Sequence, residues 1–147
     1  TLRIEMGHVA GSELDGRTIP YDNSLEGLLS KKKDFIGKRS LVRKAFTAED
    51  RQKVVGVVAL DKKTSIPEGS HLVKDSKAPL PNPKLGYISA SCWSVEHDNP
   101  FSLAILIDGK NMIGEKLFVM SPLKNKIIPV EIVSSHYVDP KGERVRS

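Results

Sequence analysis

The stretch Val54-Val55-Gly56-Val57-Val58-Ala59-Leu60 constrains the fold of this chain more than any other. It is continuous, apolar and rich in β-branched residues, so it reads as a strand. Because no polar residue alternates along it, both of its faces must be covered. Further strand segments follow at Ser70 to Lys74, Leu85 to Ser91, Ser102 to Ile107, Lys116 to Met120 and Ile127 to Val133. The breaks between them carry turn chemistry: Pro67-Glu68-Gly69, Asp98-Asn99-Pro100, Asp108-Gly109 and Ser121-Pro122. Short strands without intervening helices predict a small antiparallel barrel or sandwich. Pro129 cannot donate to a ladder, which predicts an edge or a bulge in the last strand.

The first 53 residues read differently. Leu2, Ile4 and Met6 alternate as in a strand, but Gly7 also suits the left-handed cap after a last helical turn, and the helix end is the preferred reading. Residues 8 to 20, with two glycines and a closing proline, form turns. Asp22-Asn23-Ser24 predicts the cap of a short helix through Leu25, Leu28 and Leu29, with Lys31, Lys32 and Lys33 at the negative end of its dipole. A turn anchored by Phe35 and Ile36 then leads to a second short helix ending near Phe46. Thr47 to Asp50 is a polar connector, and Pro79 to Pro83 a stiff loop. The fold class is therefore mainly β with short helices (α+β), a helical and loop arm preceding the strands.

A chain of 147 residues suits one domain, or a domain with an arm, and buries about two thirds of its unfolded surface without staples. Its single cysteine, Cys92, excludes an internal disulfide, and with four histidines it excludes a cysteine-rich zinc site. That usage fits a reducing cytoplasm, and no metal is expected. The apolar runs fall short of the roughly 18 residues of a membrane span. Of the formal charge of +5, the stretch Lys31 to Lys44 supplies +6, from seven basic residues against Asp34, leaving about −1 for the remainder. This cluster precedes the strands, and no aromatic row accompanies it, so neither a nucleic-acid surface nor a membrane is the expected partner. A purely structural arm, meeting an acidic partner surface, is the other reading of the cluster.

No nucleophile and base stand at a recognisable spacing, no glycine loop cradles phosphate, and no catalytic residue is expected in this stretch. Cys92 reads as a small apolar filler, His8 as a solvated loop residue, and Tyr87, Trp93, Phe101 and Phe118 as packing. What stands out is Glu5, a carboxylate among Leu2, Ile4 and Met6. Burying it requires a partner. Arg3 or a lysine would serve, and so would a ligand. A glutamate can accept two parallel hydrogen bonds from a flat donor edge, while lysines hold distant carboxylates as point charges. Folate carries both features.

The same residues carry a resemblance. Leu2-Arg3-Ile4-Glu5-Met6-Gly7, Gly11, Leu14-Asp15, Thr18-Ile19-Pro20 and Lys33-Asp34-Phe35-Ile36-Gly37-Lys38 resemble the folate-binding aminomethyltransferase family of the glycine cleavage system. Val55-Gly56-Val57, Pro67-Glu68-Gly69, Gly86 to Ser91, Leu103-Ala104, Gly114 and His136 to Pro140 follow in family order. Within it, Ser30 to Leu41 and Asp15 to Thr18 are most similar to the branch formed by the alpha subunits of heterotetrameric sarcosine oxidases.

The resemblance implies that residues 1–53 end a folate-binding domain and that 54–147 form the six-stranded antiparallel C-terminal β-barrel of a longer subunit. It implies that Glu5 contacts the pterin of tetrahydrofolate and that Lys33, with Lys32 and Lys31, holds the tail. Lys33 stands where the glycine-cleavage branch has arginine, so the tail would meet a point charge rather than a planar fork. The family aspartate that assists transfer has no counterpart in these residues, so the stretch by itself is expected to be inactive. FAD, FMN and NAD would lie elsewhere in the full complex. The implied partners are the other sarcosine oxidase subunits and the preceding part of the same polypeptide. Sarcosine oxidation with one-carbon capture is the implied activity; an aminomethyltransferase or a dimethylglycine-oxidising relative is the alternative.

Overall fold

The computed structural model describes every residue except Glu49, Pro79, Leu80, Val145 and Ser147. Parts of the connector at 47–50 and of the stiff loop at 79–83 lie outside the described residues. Strands β1 (Gln52–Ala59), β2 (His71–Val73), β3 (Gly86–Ser94), β4 (Asn99–Ile107), β5 (Lys116–Ser121) and β6 (Lys126–Val133) close a barrel in the order β1-β4-β3-β2-β5-β6. Every neighbouring pair is antiparallel. Helix α1 (Leu2–Glu5) and helix α2 (Lys44–Thr47) are single turns, joined by 3-10 turns at Gly11–Glu13, Glu26–Leu28 and Lys38–Val42.

The continuous β1 run has two separate partners. Val55, Val57 and Ala59 enter the barrel interior with Leu72, Ile88, Ala104, Leu106, Val119, Val130 and Ile132. Val54 and Val58 point the other way, into a second cluster with Ala90, Phe101, Leu103, Ile105 and Ile4 of α1. Period-two alternation thus survives in β1, but both sides are apolar because the barrel fills one and α1 roofs the other. Gly56 occupies the roofed side, where a Cβ would stand 2.7 Å from the Phe101 ring and 2.4 Å from the Ser134 carbonyl oxygen. A bulge in β3 serves the same double burial. Ile88 pairs with Ala104 and Ala90 with Leu103, so Ser89 is an extra residue that turns Ile88 inward and Ala90 outward.

Pro129 departs from expectation. It pairs with Phe118 in a continuous β5–β6 register, at neither an edge nor a bulge. It lies one step past the last β1–β6 pair, Ala59 and Val130, where its carbonyl accepts Leu60 N–H at 3.0 Å and no N–H is needed in return. The expected helix after Asp22-Asn23-Ser24 shortens to the 3-10 turn Glu26–Leu28, and the second helix to the Lys38–Val42 turn plus α2. Asp22 is withdrawn from capping by a stronger use. Its carboxylate takes Arg51 Nε at 3.0 Å, the Arg51 Nη2 fork, Lys53 Nζ at 3.5 Å and the Ile19 amide at 3.0 Å.

Arg51 ties the arm to the barrel. Besides Asp22 it donates to the Arg17 carbonyl at 3.1 Å and the Ala45 carbonyl at 3.2 Å, and it stacks over Phe46. Asp22 closes the junction with its own carbonyl, which accepts Val54 N–H at 2.7 Å. Burial works to raise the Asp22 carboxyl, but the hydrogen bonds from Arg51 and Ile19 and the Arg51 and Lys53 charges outweigh it and hold it below the ordinary aspartate value. Its contribution to stability is therefore complete above that ordinary value and lost as pH falls through the lower folded value. Asp22→Asn is expected to lose about 3 kcal/mol at neutral pH by stranding Arg51, with the deficit shrinking as pH falls below the ordinary aspartate range. Urea unfolding of both proteins across that range measures it, and a pH-independent difference would contradict the assignment.

Gly7 follows α1 at φ +68, and a Cβ there would lie 2.7 Å from the Ser135 carbonyl oxygen. Gly7→Ala should therefore destabilise the chain by about 1–3 kcal/mol, lowering the urea midpoint without changing the slope.

Candidate functional site

Glu5 lies at the end of α1 and is 5% exposed. Its expected partner, Arg3, is engaged elsewhere. Arg3 Nη1 meets Glu13 Oε2 at 3.1 Å and the His8 carbonyl at 3.0 Å, and the Ala10 amide reaches the same Glu13 oxygen at 2.9 Å. Glu13, 0% exposed, is thus the acid that α1's arginine neutralises, and its Oε1 remains sealed without a partner. Nothing in the spacing of Glu13 announced this, since Gly11 and Ser12 read only as turn residues.

The Glu5 carboxylate instead accepts the Val95 backbone N–H, Oε1 to N at 3.0 Å, from the hairpin between β3 and β4. Its Oε2 has no hydrogen-bond partner among the described residues. The carboxylate is therefore aimed by a neutral donor and left uncompensated by any ion pair among the described residues. Its charge is felt nearby: burial, and next the charge of Glu5, push the Cys92 thiol up. A thiol held protonated is a poor nucleophile, and Cys92 packs against the outer apolar cluster as a filler.

The main chain at Glu5 is clamped as well. The Glu5 carbonyl accepts Tyr137 N–H at 3.0 Å and Val138 N–H at 3.1 Å, so the segment after β6 returns across α1. Tyr137 is held in turn by stacking on Phe101, with ring centroids 4.2 Å apart and planes 4° from parallel. Its hydroxyl meets Asn99, and His97 Nε2 lies 3.1 Å from its carbonyl oxygen. Backbone donors such as Val95 leave no trace in residue identity, which is why the groups that orient Glu5 cannot be read from the sequence.

Lys31, Lys32 and Lys33 are exposed. The Lys33 amide donates to Ser30 Oγ at 2.8 Å, and its carbonyl accepts Lys38 Nζ at 3.1 Å. Lys38 also pairs with Asp34 at 3.8 Å and lies over the Phe35 ring. Lys31 borders a cavity of about 450 Å³ with Tyr21, Leu29, Phe35, Leu41 and Val42. No hydrogen bond or ion pair among the described residues joins Glu5 to these lysines. Ile36, expected as an anchor, is fully exposed, and Phe35 alone is half-buried in that turn. His8 is exposed. Among the described residues no group of three or more metal-ligating side chains is placed to hold an ion, and no helix is long and apolar enough to cross a membrane.

No family model matches the chain. It is 38% identical over 146 residues to the sarcosine oxidase alpha subunit of Rhizobium meliloti (strain 1021), a match covering 98% of this chain and 15% of that one. The sarcosine oxidase alpha subunit of Corynebacterium sp. (strain P-1) is 34% identical over 146 residues, covering 97% of this chain and 15% of its own length. The chain thus spans about 15% of the length of the curated relatives it matches. Among solved structures, the glycine cleavage system aminomethyltransferase T from Bartonella henselae superposes with a TM-score of 0.70 at 20% identity, over 94% of this chain and 37% of that one. The chain is accordingly homologous, over nearly its whole length, to a segment of the sarcosine oxidase alpha subunits, and it carries the aminomethyltransferase fold.

Proposed function

We propose that this segment helps to hold tetrahydrofolate in a sarcosine-oxidase-type assembly, where the one-carbon unit released by oxidative demethylation of sarcosine is captured. The observation that carries this reading is Glu5: a nearly buried carboxylate, aimed by one backbone N–H, with no cation to neutralise it among the described residues. A carboxylate offers about four lone-pair sites. Val95 uses one, which leaves Oε2 and the second lone pair of Oε1 for a donor edge such as the ring N–H and amino group of a pterin. The residues present therefore fit that group. When bound, tetrahydrofolate would supply the nucleophilic nitrogen that takes up the one-carbon unit.

On this reading Glu5 orients the ring, and Val95, Tyr137 and Val138 hold Glu5 through main-chain hydrogen bonds. Fixing the orientation of one reactant removes part of the entropic barrier of a capture step. Lys33, Lys32 and Lys31 hold the glutamyl tail as mobile charges, and their exposure suits a tail that runs into solvent. Residues 1–53 belong to the folate-binding domain, and the rest to its C-terminal barrel. The oxidation itself, with FAD, FMN and NAD, belongs to other parts of a cytoplasmic assembly.

Titration of the chain with 5-formyltetrahydrofolate, followed by amide resonances, tests the reading. A dissociation constant of about 1 mM is expected, with the Val95 amide shifting on binding, because Glu5 and the exposed lysines supply few contacts. Glu5→Ala should remove both the binding and the Val95 response. Affinity unchanged in Glu5→Gln and Glu5→Ala would remove Glu5 from the site.

A further inference from the structure

Between Ser24 and Asp50 no described residue is buried. The Glu26–Leu28 turn, the Lys38–Val42 turn and α2 contain no buried side chain at all. Ordering a backbone costs about 1–2 kcal/mol per residue, and this arm has almost no apolar burial to offset that. Its large aliphatic residues face outward instead: Leu28 is 80% exposed, Val42 77% and Ile36 104%. Of the seven cations from Lys31 to Lys44, Lys38 makes an ion pair with a described residue, and Arg39, Arg43 and Lys44 make none. In the Lys38–Val42 turn, residues three apart eclipse, so Arg39 and Val42 share a face. Aliphatic side chains and cations are therefore interleaved along one coreless strip, beside a cavity of about 450 Å³ bordered by Glu26, Leu29, Lys31, Phe35, Leu41 and Val42.

We propose that this arm is a docking strip for an acidic protein surface, with an aliphatic or aromatic anchor that enters the cavity and carboxylates that meet Arg39, Arg43 and Lys44. Scattered apolar residues on a surface need no explanation, but three on one unburied, cationic arm mark an interface. The charge selects the partner. A strip of local charge +6 repels basic and ignores neutral surfaces, whereas a carboxylate-rimmed apolar patch complements both components. The strip shares Lys31, Lys32 and Lys33 with the folate reading, so its test uses Leu28, Ile36, Val42, Arg39, Arg43 and Lys44, which lie outside the residues assigned to folate. Its energetic content is that the partner supplies the core the arm lacks.

Hydrogen exchange of the whole chain tests it, with a synthetic peptide bearing glutamates on both sides of a central leucine–phenylalanine pair as the probe. Alone, amides 26–47 should exchange within the dead time while those of β1 and β4 stay protected. Peptide should slow exchange in 26–47 by about tenfold or more, and a glutamate peptide lacking the apolar pair should do so far less. The triple variant Arg39→Glu/Arg43→Glu/Lys44→Glu should abolish the effect, as should Ile36→Ser/Val42→Ser, with β1 protection unchanged in both. No gain in protection up to millimolar peptide, or a gain indifferent to these substitutions, overturns the proposal. So does stronger arm protection by phosphatidylserine vesicles or by single-stranded DNA, which would assign the strip to a membrane or a nucleic acid.

Discussion

The double burial of β1 is the constraint on which the remaining architecture rests. A strand with Val, Gly and Ala on both faces is stable only if two apolar surfaces sandwich it. Barrel closure provides the first, and Ile4 of α1, with Phe101, provides the second. That second surface is what anchors the N-terminal turn, and with it Glu5, to the outside of the barrel. The β3 bulge and Gly56 both serve the roof: one redirects Ala90 outward, the other clears space for Phe101 and the Ser134 carbonyl. A feature that looks like core chemistry thus sets the position of the Glu5 carboxylate.

Electrostatics divides the acids of this chain into two kinds. Asp22 and Glu13 are buried and matched to arginines, and they hold the arm and the N-terminal loop in place. Glu5 is buried to a similar degree yet has only a neutral donor. Uncompensated burial of a carboxylate is costly, and groups of this kind concentrate where a ligand or partner completes the pairing. Arg3 is the natural candidate to neutralise Glu5 and is diverted to Glu13, which keeps the Glu5 carboxylate open.

Much of this was legible in the residues. Strand positions are read from β-branched runs and turn residues, which act locally, so the six strands fall where the pattern placed them, to within a few residues at each end. Gly7 announced the end of α1 because only a residue without Cβ tolerates both φ +68 and contact with Ser135. The helices after Asp22 and near Leu41 were overestimated. Good capping residues and leucine spacing describe a helix that has something to pack against, and the arm has nothing. Ile36 misled for the same reason, since an aliphatic residue signals an anchor only where a core exists to receive it.

The sequence by itself determined the strand content, the turn positions, the exceptional character of Glu5 and the separation of charge between arm and barrel. These follow from side-chain chemistry and nearest-neighbour geometry, which need no knowledge of distant residues. Only the tertiary structure decided that Arg3 goes to Glu13, that Asp22 pairs with Arg51 rather than capping a helix, and that Val95 aims the Glu5 carboxylate. Each of these joins groups that the folded chain must first bring together from separate segments. Glu5 and Val95 are 90 residues apart, a proximity that exists only once the sheet has closed.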